Sequence, residues 1–175
     1  MKFILYVFII VSSFSCSKEN LSDDKLTLSR VPISTKELKL KGYYYTKYDN
    51  SQKVSIYFLY NDGTLLFAGD GFDYNNINDY EKTLLSENFI NKLKNIKFAW
   101  GIFNISDKFI QLEKWEPSSG GPLKSYIKSG TIINDTIFVL NQSKRSNGDE
   151  LNKIDKTYYF KKLTSKPDST NSFIN

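Results

Sequence analysis

The sequence predicts an all-β domain: eight mostly antiparallel strands rolled into a barrel, with one amphipathic helix inserted. Three observations predict it. Short aromatic and β-branched runs recur along the chain, turn signals separate them at close intervals, and one segment has helical instead of alternating periodicity.

Residues 40–48 open the set. The run Val54-Ser55-Ile56-Tyr57-Phe58-Leu59-Tyr60 follows, and Asn61-Asp62-Gly63 turns it into Thr64-Leu65-Leu66-Phe67. With Asp62-Gly63 as a two-residue type I′ turn, Tyr60 lies opposite Leu65 and Phe58 opposite Phe67. Ile56, Phe58, Tyr60, Leu65 and Phe67 then share one face, and a one-residue slip would exchange the faces. Residues 80–96 carry Leu85, Phe89, Leu93 and Ile96 at helical spacing, which predicts a helix covering one end of the sheet. Residues 97–105 and 108–116 pair about Ser106-Asp107, and 123–133 and 136–140 about Asn134-Asp135. The aromatic run 156–163 completes the count, leaving 70–79 and 141–155 as long loops. So many consecutive hairpins tend to curl and close, because closure removes unpaired edges.

The N-terminus reads differently. Met1-Lys2 precedes an unbroken apolar run, residues 3–11, and then Ser12-Ser13-Phe14-Ser15-Cys16. A short cationic start, a brief apolar stretch and small residues are the pattern of a secretory signal peptide. The run is well short of the roughly 20 residues that span a bilayer. Ser13-Phe14-Ser15-Cys16 resembles the lipobox of bacterial lipoproteins, in which the cysteine is acylated after cleavage. The resemblance implies a signal peptide at residues 1–15, a lipid-bearing Cys16 and attachment to the membrane through acyl chains. Ser17 after the cysteine implies the outer membrane, with the periplasmic or surface face left open. Residues 16–37 are then expected to form a flexible tether, 38–163 the barrel domain and 164–175 a disordered tail.

Composition narrows the chemistry. There is no histidine, and Cys16 is the sole cysteine. Catalysis by Ser-His-Asp or Cys-His groups and imidazole-based zinc sites are excluded. The chain is expected to be neither an enzyme nor a holder of cofactor or metal. The net charge of +5 includes Lys2 of the signal segment, and the remaining excess is scattered. No block reads as a nucleic-acid tail.

Gly42-Tyr43-Tyr44 at the start of the first strand resembles the Gly-x-Trp element of lipocalins, whose aromatic closes one barrel end; Tyr44 would take that place. Tyr57-Phe58-Leu59-Tyr60-Asn61-Asp62-Gly63-Thr64, Trp100-Gly101-Ile102-Phe103-Asn104-Ile105 and Ser129-Gly130-Thr131-Ile132-Ile133-Asn134-Asp135-Thr136 are similar to segments of small lipocalin-like bacterial lipoproteins of unassigned function. The likeness implies a lipocalin-like barrel with a small apolar or glycan-like ligand. Tyr44, Phe58, Tyr60, Phe67 and Trp100 are the candidate ligand-binding residues.

Two other readings stay open. The 13 Phe and 12 Tyr could simply fill the barrel. The outer surface could instead dock an envelope partner, making the chain a structural or interaction lipoprotein. Glu113 and Glu116 flank Trp115 near a strand end, but a spacing of three on a strand points them to opposite faces, which is a poor arrangement for a catalytic pair.

Overall fold

The structure, a computed structural model, describes residues 22–34, 36–48, 51, 53–73 and 76–174. The expected signal peptide and Cys16 lie outside them. The described chain forms eight strands: β1 (Gly42–Lys47), β2 (Lys53–Leu59), β3 (Thr64–Asp73), β4 (Trp100–Ser106), β5 (Phe109–Glu116), β6 (Lys124–Asn134), β7 (Ile137–Arg145) and β8 (Leu151–Lys162). Each pairs antiparallel with its sequence neighbour, and β8 returns to β1, where Tyr44 meets Phe160. The barrel is closed, so every strand has a partner on both sides, although β3 meets β4 only through Thr64, Leu65 and Leu66. Gly42 is required at this seam, since a Cβ there would stand 2.1 Å from the Lys161 carbonyl oxygen.

The β2–β3 hairpin departs from the expected register by one residue. Tyr57 faces Phe67, Phe58 faces Leu66 and Leu59 faces Leu65. The cause is the turn. Gly63 N–H donates to the Tyr60 carbonyl at 3.0 Å, and Gly63 takes a left-handed φ of 83°. Asp62 Oδ1 accepts from Thr64 N–H at 3.0 Å and from its hydroxyl at 2.6 Å. Three residues, Asn61-Asp62-Gly63, thus make the loop, a type I turn completed by a left-handed glycine instead of a two-residue type I′ turn. The slip regroups the faces. Ile56, Phe58 and Tyr60 join Leu66 and Ala68, while Leu65 and Phe67 join Tyr57 and Leu59.

The two faces become two cores. The lumen holds Tyr44, Tyr57, Leu65, Phe103, Leu112 and Phe138, among others. The second core lies outside the barrel wall, over β1 to β5, and contains Tyr43, Phe58, Trp100 and Trp115. A wall apolar on both sides needs covering on the outside. Part of the cover is helical, and the expected single helix is in fact two: α1 (Ile77–Leu84) and α2 (Glu87–Lys94). Ser86 interrupts them. Its backbone is extended and its Oγ accepts from Phe89 N–H at 3.4 Å, capping α2. The break rotates the apolar stripe, so Leu84 is fully buried and Leu85 is 40% exposed.

The chain ends supply the rest of the cover. The expected flexible tether is docked over residues 22–34: Asp24 N–H donates to the Leu123 carbonyl at 2.9 Å and Ile33 N–H to that of Asn61 at 2.7 Å. Leu26 and Leu28 pack on the outer core. The expected disordered tail is also held. Lys166 Nζ donates to the Leu40 and Leu59 carbonyls at 2.6 and 2.8 Å, and Ile174 is buried in the outer core. Local polarity hid both contacts from sequence periodicity.

The expected loops are shorter as well. β3 continues to Asp73 through two register shifts, the first at Ala68, and β7 and β8 occupy most of 141–155. Those strand ends are polar because they surround an open mouth.

Candidate functional site

One half of the lumen is packed solid. Phe138 stacks on Tyr158 with ring centroids 4.9 Å apart and planes 12° from parallel, and Tyr44 lies 5.0 Å from Phe138 and 5.4 Å from Phe160. Leu38 closes this end, where Lys39 N–H and the Tyr44 hydroxyl both donate to the Asp135 carbonyl, at 2.8 and 3.2 Å.

The other half encloses a cavity of about 470 Å³, a size usual for small-ligand sites. Its apolar wall includes Tyr57, Phe67, Leu140, Ile154 and Tyr158, and exposed Phe98 and Pro117 stand at its edge. The polar part is unusual for its depth. Lys114, 6% exposed, and Lys128 both project inward from β5 and β6. Glu116 stands between them, with Lys128 Nζ at 2.7 Å and Lys114 Nζ at 3.6 Å from its Oε1. Lys114 also donates to the Trp115 carbonyl at 3.2 Å and lies 4.6 Å from the centre of the Phe67 ring. Burial pulls its pKa down to about 8, against the opposing pull of Glu116. Glu116 is held below its ordinary value by the two ammonium groups, which outweigh its desolvation.

Hydroxyls line the opposite wall. Tyr48 and Tyr158 both meet the Ser55 side chain, Tyr48 also meets Asp70, and Tyr158 meets Tyr57. Burial raises the pKa of all three tyrosines. They therefore stay neutral donors at ordinary pH.

The five candidate residues divide between the cores. Tyr44 lies in the packed half of the lumen and Phe67 in the cavity wall. Phe58, Tyr60 and Trp100 belong to the outer core, so they do not meet the cavity; the one-residue register change separates Phe58 and Tyr60 from Leu65 and Phe67, whose face is the lumen. Trp100 donates its indole N–H to the Lys94 carbonyl at 3.1 Å, tying α2 to the wall. Sequence reasoning missed Lys114, Lys128, Ser55, Tyr57 and Tyr158. The signal lay in β5: once Leu112 points inward, so must Lys114 and Glu116.

Glu113 and Glu116 do face opposite ways. Glu113, fully buried, points outward and grips the docked N-terminal segment, and Trp115 beside it donates to the Asp24 carbonyl at 2.6 Å. Among the described residues no helix is long and apolar enough to cross a membrane, and no three Cys, Asp or Glu gather as a metal site. No protein-family model, no curated protein and no solved structure matches the chain.

Proposed function

We propose that the protein is a lipid-anchored protein of the bacterial outer membrane, without enzymatic activity, whose barrel holds a small ligand in the open half of its lumen. The observation that carries this reading is the division of the lumen. One end is filled by stacked aromatics, while the other keeps about 470 Å³ lined by both apolar and hydrogen-bonding groups. A barrel whose aromatics served only as filling would pack both ends.

The docked N-terminal segment says which end of the barrel an anchor at Cys16 would hold to the membrane. Asp23 and Asp24 are bound at the β5–β6 connection: Leu123 N–H donates to Asp23 Oδ1 at 2.8 Å and Ser125 N–H to Asp24 Oδ2 at 3.1 Å. That connection borders the cavity through Pro117. Cys16 precedes Asp24 by eight residues, a length that spans at most about 28 Å. An acylated Cys16 would therefore keep the cavity end close to the bilayer surface, where a ligand could be collected or released.

Two measurements test the reading. Native mass spectrometry of the full chain purified from cell envelopes is expected to show a bound small molecule; a ligand-free protein that also binds nothing from an envelope extract overturns the binding half. Radiolabelled palmitate is expected to label the wild type and not Cys16→Ser, and an unlabelled wild type overturns the anchor.

A further inference from the structure

We infer that the lumen selects a compact organic anion, a flat or branched apolar body carrying one carboxylate or similar acidic group, which is held by Lys114 and Lys128. This rests on the lumen-binding reading above and adds the charge of the ligand.

The charged residues described in the cavity lining are three lysines, Lys114, Lys128 and Lys156, against two carboxylates, Asp70 and Glu116. The surplus is positive. It also lies deep: Lys114 is almost wholly buried, with the Trp115 carbonyl and Glu116 as its polar contacts among the described residues and the Phe67 ring 4.6 Å from its Nζ. Burying an ammonium costs free energy that one shared carboxylate recovers only in part. An acidic group entering the cavity would meet Lys114 and Lys128 as paired donors and restore the missing charge. The remaining walls suit the rest of such a ligand, because Tyr57, Phe67 and Tyr158 offer ring faces. The filled lower lumen limits its length. Glu116 and Asp70 balance two of the three lysines, and one positive charge is left over in the lining.

The test uses naphthoate and its neutral amide, titrated calorimetrically into the full mature chain in non-ionic detergent, with detergent alone as the blank. Naphthoate is expected to bind at least about ten-fold more tightly, equivalent to about 1.4 kcal/mol. Lys114→Met and Lys128→Met should each remove most of that preference and leave amide binding unchanged. Glu116→Gln should strengthen naphthoate binding several-fold, since it removes the competing anion. Equal binding of acid and amide by the unaltered protein overturns the inference while leaving lumen binding intact. Binding of neither probe overturns this inference, while lumen binding stands or falls on the envelope-extract measurement above. Folded lysine variants with wild-type affinity for naphthoate also overturn the inference. Should those variants fail to fold, the acid–amide comparison on the unaltered protein still decides.

Discussion

Glu113 and Thr27, 86 positions apart, are joined by three hydrogen bonds. The backbone N–H of Thr27 reaches both carboxylate oxygens, at 2.9 and 2.8 Å, and the Thr27 hydroxyl donates to Oε1 at 3.1 Å. Leu28 N–H adds a fourth hydrogen bond to the same carboxylate at 2.6 Å. A buried strand residue therefore supplies the hydrogen-bond acceptors that a non-strand segment needs. Glu113→Ala should release residues 22–34 from the wall and destabilise the fold by about 2–3 kcal/mol, the cost of leaving buried donors unpaired. Urea denaturation measures the loss. Hydrogen exchange at Thr27 and Leu28 should accelerate in the variant, and unchanged protection would refute the role given to Glu113.

The C-terminal segment makes a second clamp. Lys166 donates to two backbone carbonyls and lies 4.3 Å from the centre of the Tyr60 ring. Lys166→Met keeps the stem and removes both charged hydrogen bonds. Because burial of the ammonium offsets the gain from those bonds, the expected effect is local: the tail becomes a site of early proteolytic cutting, read by limited digestion and mass spectrometry.

The packed half of the lumen should be the most sensitive place in the molecule. Phe138 is fully buried and touches both Tyr44 and Tyr158. Phe138→Ala is expected to lose about 3–5 kcal/mol. Phe138→Leu should lose less, because it fills more of the space. A denaturation series in which the two variants match would contradict the packing described.

Stability and anion binding should respond to pH in opposite directions above neutrality. Lys114 and Lys166 both have pKa values drawn down from 10.5 to about 8 by burial. Between those values the unfolded chain binds more protons at these sites than the folded one, so their contribution to stability rises with pH. Above about 10 the buried tyrosines reverse the trend, since Tyr57 and Tyr158 resist the ionisation that the unfolded chain undergoes. Anion affinity instead falls as Lys114 loses its proton among Glu116, Lys128 and Asp70. Urea midpoints and naphthoate titrations across this range should diverge, and Lys114→Met should flatten both slopes. A naphthoate affinity that stays constant would contradict the role of Lys114.

Much of the architecture follows from local chemistry. Alternation and turn residues place the eight strands in order, because a strand buried against a core must repeat every two residues and a tight turn needs particular side chains. Asn134 shows the local rule at work: its Oδ1 accepts from both the backbone and the hydroxyl of Thr136. The two-helix break could also have been read, since Ser86-Glu87 is a helix-start signal inside the apolar stripe. The acylation proposed for Cys16 rests on sequence alone, because that residue lies outside the described ones.

What tertiary structure decided is which face of the wall is which. Tyr57 and Phe58 are equally apolar to a periodicity argument and alternation puts them on opposite faces; the three-residue turn groups Leu65 and Phe67 with Tyr57, and closure of the barrel makes that face the lumen. Lys114 shares β5 with Glu116, but Lys128 reaches the pair from β6, and the three face a lumen only once the barrel closes. The docked ends were hidden for a related reason. Thr27 and Lys166 are polar residues in polar segments, and their binding energy comes from acceptors on β5, at the end of β2 and ahead of β1. Periodicity records how a segment buries its own apolar side chains. It carries no record of a carboxylate or carbonyl waiting elsewhere in the fold, and the closed sheet is what brings those acceptors within reach.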